Sequence, residues 1–147
     1  PDAQGGGVEL SEESCLLASA NAVLHEVAAR AQVLKGSWFD PVEGRFDLIV
    51  VNPPYLAAFE MDEVAPELRD HEPRMALTDE GAGLSAYREI AAIAGSYLTS
   101  QGRVICEFGA MQGPDVRAIF EAEGWGDIVL LPDLDGRPRV VVARNPA

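Results

Sequence analysis

Asn52, Pro53, Pro54 and Tyr55 follow one another and form the grouping in the chain with the most specific chemistry. Asn52 and Pro53 each precede a proline, so both backbones are pushed out of the α region toward extended conformations. Pro53 and Pro54 carry no N–H, and the chain around them cannot wind into a helix that would occupy the Pro53 carbonyl. The expected product is a stiff hook presenting the Asn52 side-chain oxygen and the Pro53 backbone carbonyl as acceptors, with the Tyr55 ring alongside. Two acceptors and an aromatic wall suit a planar –NH2 group, which offers two donors and a flat face. A Pro-Pro pair that merely closes a strand is the plain alternative; the Asn before it and the Tyr after it weigh against that.

A hook of this kind needs a rigid element behind it. Phe46 to Val51 is short and rich in β-branched residues, with Asp47 the only polar interruption. That composition suits a strand buried on both faces, as in a parallel sheet. The prolines stop it, which places Asn52 at the strand's carboxyl end, where open α/β sheets bind ligands. Upstream, Val8-Glu9-Leu10 reads as a strand end and Ser11 as an N-cap. Leu16, Leu17, Ala20, Leu24, Val27 and Ala28 then form the apolar stripe of a helix that contains His25. Residues 1–7 are Gly-rich and expected to be poorly ordered. Gln32 to Leu34 reads as a short strand leading into Gly36-Ser37-Trp38-Phe39.

Beyond Tyr55 a long acidic connection runs to about Gly83, and at this length it is a functional segment or a disordered one. Leu84, Tyr87, Ile90, Ala91, Ala94 and Leu98 mark the next helix, and Gly102 is expected to turn it into a buried strand from Arg103 to Phe108. Gly113 and Pro114 open a further helix with Val116, Ile119 and Phe120 on its apolar face, ended by Gly124. Asp127 to Leu131, a turn over Asp133 to Gly136, and Arg139 to Ala143 read as a closing β-hairpin. The whole pattern is α/β.

The 147 residues suffice for about one domain with a real core. Net charge is −13 and no Lys/Arg cluster occurs, which argues against a duplex or RNA binder with its need for a basic face. Part of the acid excess lies between Glu60 and Glu80, opposed only by Arg69 and Arg74. A solvated loop explains most of those carboxylates, and a docking surface for a protein partner is the functional alternative. Cys15 and Cys106 stand without C-x-x-C or metal-ligand spacing, so no metal is expected and a reduced, cytoplasmic compartment fits. With no charged-then-apolar leader and no long apolar run, neither secretion nor a membrane span is expected.

The Asn-Pro-Pro-Tyr grouping resembles the motif of S-adenosylmethionine-dependent amino methyltransferases. From about Gly7 to Arg144 the chain resembles, among these, the release-factor glutamine methyltransferases (the HemK/PrmC family). Gly36-Ser37-Trp38-Phe39 sits at the family spacing before the motif, and His71-Glu72-Pro73-Arg74-Met75-Ala76-Leu77 is similar to the family's Tyr-Glu-Pro-Arg-Leu-Ala-Leu segment. Gly83-Leu84, Tyr87-Arg88, Glu107-Phe108-Gly109 and Gln112-Gly113 match a later helix, strand and turn. The resemblance implies a Rossmann-like class I methyltransferase sheet with a C-terminal antiparallel hairpin, and S-adenosylmethionine as cofactor. It implies methyl transfer to the side-chain amide nitrogen of the glutamine in a Gly-Gly-Gln motif of a peptide-chain release factor. Asn52, Pro53 and Tyr55 then become the catalytic residues, and Asn52, Pro53, Pro54 and Tyr55 the substrate holder. The connection after Tyr55 becomes a substrate-facing lid.

Glu9, at a strand end of a nucleotide-binding fold, would accept protons from both ribose hydroxyls of the cofactor. Ser37 and Trp38 would border the adenine, with Asn52 also on the cofactor; serine stands where the family usually has Asp and loses a charge-assisted acceptor. His71 departs from the family's usual aromatic and is not a catalytic candidate. The family also has a strand and a Gly-rich turn before the position of Glu9, preceded by an N-terminal helical domain. Gly5-Gly6-Gly7 is not that turn, so residues 1–147 are read as a partial methyltransferase domain whose first strand and Gly-rich turn are absent. The facing edges of the strands at Val8–Leu10 and Phe46–Val51 would then lack a partner.

Two rival readings remain. The same hook could hold an adenine or guanine amine of DNA or RNA after base flipping, against which the acidic composition and Glu72-Pro73-Arg74 argue. The other rival is a non-catalytic, partner-binding fragment. These residues alone are expected to bind S-adenosylmethionine weakly or not at all; tight stoichiometric binding in a calorimetric titration would overturn that.

Overall fold

The structure, a computed structural model, describes residues 3–145, which divide into two compact units between Gly44 and Arg45. The first unit holds β1 (Gly5–Glu9), α1 (Glu12–Leu24) and β2 (Ala31–Lys35). β1 and β2 pair in parallel, Gly5 opposite Ala31 and Glu9 opposite Lys35. Ser11 is extended and its hydroxyl accepts from the Ser14 N–H at 3.3 Å, while Glu12 and Glu13 occupy the positive end of the helix. Two expectations are corrected here. Gly5, Gly6 and Gly7 are not loose chain but the first residues of β1, because a ladder needs backbone groups and no side chains; Pro1 and Asp2 lie outside the described residues. The helix expected to carry an apolar stripe through Val27 and Ala28 ends at Leu24 with His25 as its C-cap, and Leu16, Leu17 and Leu24 on it are all exposed.

The second unit is built on a four-stranded sheet of order β3-β4-β6-β5: β3 (Phe46–Val51), β4 (Leu98–Glu107), β5 (Gly126–Pro132) and β6 (Pro138–Arg144). β3 and β4 run parallel; β6 lies antiparallel to both β4 and β5, so the closing hairpin forms as expected. Four further helices lie in this unit: α2 (Pro66–Arg69), α3 (Arg74–Leu77), α4 (Ser85–Ile93) and α5 (Gly113–Ala122). Period-two alternation turns Val104 and Cys106 of β4 inward beside Ala143 and Val141 of β6, and all four are fully buried. Tyr87 and Ile90 of α4 and Val116 and Phe120 of α5 complete this core. Trp125 closes it, meeting the Phe120 ring edge-on at 5.4 Å and donating its indole N–H to the Ala91 carbonyl.

The helices cover one face of the sheet, which corrects the expectation for β3. Leu48 and Val50 are exposed, and Phe46, Ile49 and Val51 are only partly covered. The helix expected to run to Leu98 ends earlier. α4 stops at Ile93, a 3-10 turn spans Ala94–Tyr97, and Leu98 is the buried first residue of β4. Gly102 therefore lies inside β4 rather than before it, where the pairing with β3 slips from Phe46–Leu98 to Leu48–Arg103. A Cβ there would fall 2.9 Å from Leu98 Cβ and 3.0 Å from the Phe46 carbonyl oxygen, so the bulge requires glycine. Among the described residues no helix is long and apolar enough to cross a membrane.

The connection from Tyr55 to Gly83 is ordered. It contains a 3-10 turn at Ala58–Asp62 together with α2 and α3, and returns to its start through a parallel bridge between Leu56 and Thr78. Arg69 pairs with Asp70 and Arg74 with Glu80. Asp79 then gathers the chain for entry into α4. Its carboxylate accepts the backbone N–H groups of Gly81, Gly83 and Ser85 at 2.8, 2.8 and 2.9 Å. Partial burial opposes the charge, but these backbone donors outweigh it and hold the carboxyl well below the usual carboxylate range.

Asp79→Ala is accordingly expected to lose about 1–2 kcal/mol of stability at pH 7. A depressed folded-state pKa contributes stability above the unfolded value of about 3.9 and loses it as acid protonates the folded carboxylate. The gap in melting temperature between wild type and Asp79→Ala should therefore narrow below about pH 4. A gap that stays constant from pH 7 to pH 3 contradicts the assignment.

Candidate active site

The hook stands where the sequence places it. β3 ends at Val51, and Asn52 follows at the carboxyl end of the strand with its side chain exposed, while Pro53 is buried and Tyr55 partly so. Among the described residues no donor reaches the Asn52 side-chain oxygen or the Pro53 carbonyl. Asn52 and Pro53 both border a cleft of about 410 Å3, of the size that takes a small ligand or a single side chain. Asn52, Pro53 and Tyr55 form one side of it. The connection after the hook supplies the other, with Val64, Leu68 and Leu77 as apolar wall and Glu60 and Glu63 as carboxylates. Glu60 is partly committed, since it accepts the Ala57 N–H at 2.7 Å.

The elements behind the hook fix Tyr55 at both ends. Its phenol donates to Glu107 Oε1 at 3.3 Å, at the end of β4. Burial, reinforced by the Glu107 carboxylate, raises the phenol above its usual range, so at neutral pH the hydroxyl stays protonated. Its backbone carbonyl accepts from Gln112 Nε2 at 2.7 Å. Gln112 Nε2 also donates to the Gly83 carbonyl at 3.2 Å, and Gln112 Oε1 accepts the Gly109 N–H at 2.9 Å. Tyr87 reinforces the same strand end by donating to the Glu107 carbonyl at 2.9 Å. Nearby Cys106 is pushed up to about 12 by burial, which rules out a thiolate nucleophile. Glu107, Gln112 and Gly83 all stood in recognised segments, yet nothing in their local sequence pointed to contact with Tyr55 so far along the chain. The one legible signal was their company in the same pattern.

The other candidates lie in the first unit. Glu9 is the last residue of β1, and its Oε1 accepts the Ser11 N–H at 2.7 Å at the entry to α1, leaving Oε2 without a described partner. Ser37 and Trp38 follow β2 at the corresponding carboxyl edge, Ser37 exposed and Trp38 half-buried with φ at +43°. Glu9 pairs in register with Lys35, so the structure brings Glu9 and the Ser37-Trp38 turn to the same edge of this two-stranded sheet. Gly36 makes the turn possible: a Cβ there would meet Pro41 at 2.7 Å.

Gly83 has φ +71°, and a Cβ on it would sit 2.1 Å from the Tyr55 carbonyl oxygen and 2.8 Å from Gln112 Nε2. Gly136 has φ +81° and nothing within 4 Å of its would-be Cβ. Gly136→Ala should cost about 1 kcal/mol, the strain of a left-handed alanine. Gly83→Ala adds a steric clash and should cost at least about 2 kcal/mol more. Denaturant unfolding of the two variants compares them, and equal costs contradict the close approach at the hook.

No protein-family model matches the chain. The chain is 46% identical to the release factor glutamine methyltransferase of Cereibacter sphaeroides, over all of its own length and 53% of that protein. In fold, it superposes with a TM-score of 0.68 on a methyltransferase from Pyrococcus furiosus, at 15% identity, covering 97% of this chain and 62% of that one. An RNA methyltransferase from Salinibacter ruber, in complex with S-adenosyl-L-homocysteine, gives a TM-score of 0.56 at 16% identity, over 98% and 67% of the two chains. The fold is the Rossmann-like class I methyltransferase sheet with its antiparallel closing hairpin. The chain spans about half the length of the curated relatives it matches, and along 95–100% of its residues it is 33–46% identical to release factor glutamine methyltransferases.

Proposed function

We propose that this chain is part of one methyltransferase domain that transfers a methyl group from S-adenosylmethionine to a protein amide. The acceptor is the side-chain nitrogen of the glutamine in a Gly-Gly-Gln motif of a peptide-chain release factor. Two hydrogen-bond acceptors to which no described residue donates, at the carboxyl end of β3 beside the Tyr55 ring, carry this reading. An amide nitrogen is a poor nucleophile because its lone pair is delocalised into the carbonyl. Asn52 Oδ1 and the Pro53 carbonyl each take one of its two N–H groups, which fixes the amide plane and leaves a face of the nitrogen open. Tyr55 packs on that plane. As the nitrogen becomes tetrahedral and positive, hydrogen bonds to the two acceptors strengthen, so they stabilise the transition state more than the bound substrate.

When bound, the cofactor supplies a methyl group already activated for transfer, so no general base is needed beforehand and positioning dominates. Glu9 and the Ser37-Trp38 turn fit its ribose and adenine: the second oxygen of Glu9 is available as an acceptor at a strand end, and Ser37 is exposed next to an aromatic ring. Asn52 belongs to both the cofactor and substrate sides in this reading. The lid residues Val64, Leu68 and Leu77 exclude water around the amide. Lone cysteines, one of them buried, suit a cytoplasmic enzyme.

Asn52→Ala should lower turnover about a hundredfold or more while changing cofactor affinity much less. Labelled-methyl transfer to a release factor, with calorimetry for the cofactor, measures both. Equal losses in turnover and cofactor affinity would refute the role given to Asn52, and transfer to nucleic acid in preference to release factor would replace the substrate.

A further inference from the structure

A hook built on two prolines has a mechanical weakness. Pro53 and Pro54 have no N–H, so this stretch cannot anchor itself by donating to its surroundings, and the Pro53 carbonyl must stay open if it is to hold a substrate amide. Its position must be imposed by what grips the chain immediately after it. Two backbone groups do so: the Leu56 N–H donates to the Leu77 carbonyl at 2.9 Å, and the Tyr55 carbonyl accepts from Gln112 at 2.7 Å.

We propose that Gln112 is a positioning residue for methyl transfer, acting through the Tyr55 carbonyl to set the direction of the Pro53 carbonyl and the tilt of the Tyr55 ring. The proposal rests on the amide-methyltransferase reading above and assigns the residue that keeps its hook in register. One carboxamide joins three segments. Gln112 Nε2 spends its donors on Tyr55 and Gly83, and Oε1 takes the N–H of Gly109. The Gln112 backbone N–H also donates to the Gly109 carbonyl at 2.8 Å, and its own carbonyl accepts Val116 N–H at the start of α5. The residue is thereby fixed at both its backbone and its side-chain end.

The surroundings are shaped around it. A Cβ on Gly83 would sit 2.8 Å from Nε2, and a Cβ on Gly109 would sit 3.0 Å from Oε1 and 3.4 Å from the Tyr55 ring. Both neighbours lack a side chain at the points where the carboxamide passes. Gly83 is itself held by Asp79, which accepts the Gly83 N–H at 2.8 Å, so the clamp also ties the lid's return to the hook. Gln112 borders no part of the cleft and touches no reacting atom, which separates its role from that of Asn52.

Gln112→Glu keeps the length and an acceptor for Gly109, but sets a carboxylate oxygen against two carbonyls; Gln112→Met keeps the length and removes both donors and acceptor. With full-length protein and a Gly-Gly-Gln release factor, each variant should lose about tenfold or more in kcat. KM for the release factor and the calorimetric Kd for S-adenosylmethionine should stay within about threefold, and both variants should remain folded at the assay temperature. Asn52→Ala is run alongside. If Asn52→Ala is inactive and both Gln112 variants keep wild-type kcat, the positioning role is overturned while the reading of the hook stands. If Asn52→Ala keeps wild-type kcat, the reading of the hook fails and the role of Gln112 falls with it. A kcat loss no larger than the unfolded fraction also overturns the proposal, since a residue needed only for folding produces that.

Discussion

A pair of imino acids at the end of a strand removes two hydrogen-bond donors from the place where the chain most needs to be held still. Pro53 and Pro54 cannot donate to a neighbouring strand or close a helical turn, and among the described residues none donates to the carbonyl of Pro53 or the side chain of Asn52. Open acceptors at the rim of a cleft suit a ligand that brings donors. That same constraint dictates the rest of the second unit. β3 delivers the hook from one side in parallel pairing with β4, and Tyr55 is fastened on the other by Glu107 and Gln112.

The ordered connection beyond the hook follows from the same need. Leu56 bridges to Thr78, Ala58 N–H donates to the Gly81 carbonyl, and Asp79 holds three backbone donors at the entry to α4. A stretch with eight acidic residues between Glu60 and Glu80 could have been a solvated, self-repelling loop. Its carboxylates instead do different things. Asp79 and Glu60 satisfy backbone N–H groups, whereas Asp70 and Glu80 pair with Arg69 and Arg74. The exposed ion pairs contribute little by themselves. The backbone contacts of Asp79 and Glu60 shape the segment.

Much of this was legible in the sequence because it rests on local rules. Ser11 before two glutamates, Pro114 at a helix start and the Asp133–Gly136 turn each state their structure within a few residues. The hook was legible for the same reason, since the restriction before proline acts on the adjacent residue. What escaped depends on partners far along the chain. Gly5 to Gly7 read as loose because composition describes what a lone segment prefers, whereas pairing with Ala31 to Val33 decides what it does. Leu98 read as helical because its spacing from Ala94 and Ile90 is right; the 3-10 turn and the bulge at Gly102 moved it into β4. Leu48 and Val50 are apolar, yet their exposure is set by which face α4 and α5 cover. Gln112 gave no local sign of its role, because a glutamine before a helix is ordinary until Tyr55 and Gly83 arrive beside it.

The most direct measurement compares two peptides identical except for Gln or Glu at the proposed methyl-accepting position, titrated against the full-length protein with cofactor present. Glutamine brings two donors to the Asn52 and Pro53 acceptors, whereas ionised glutamate brings none and sets negative charge against them. The glutamine peptide is expected to bind at least about tenfold more tightly, a difference of about 1.4 kcal/mol. Equal affinity for the two would contradict the claim that paired acceptors on a proline hook recognise an amide.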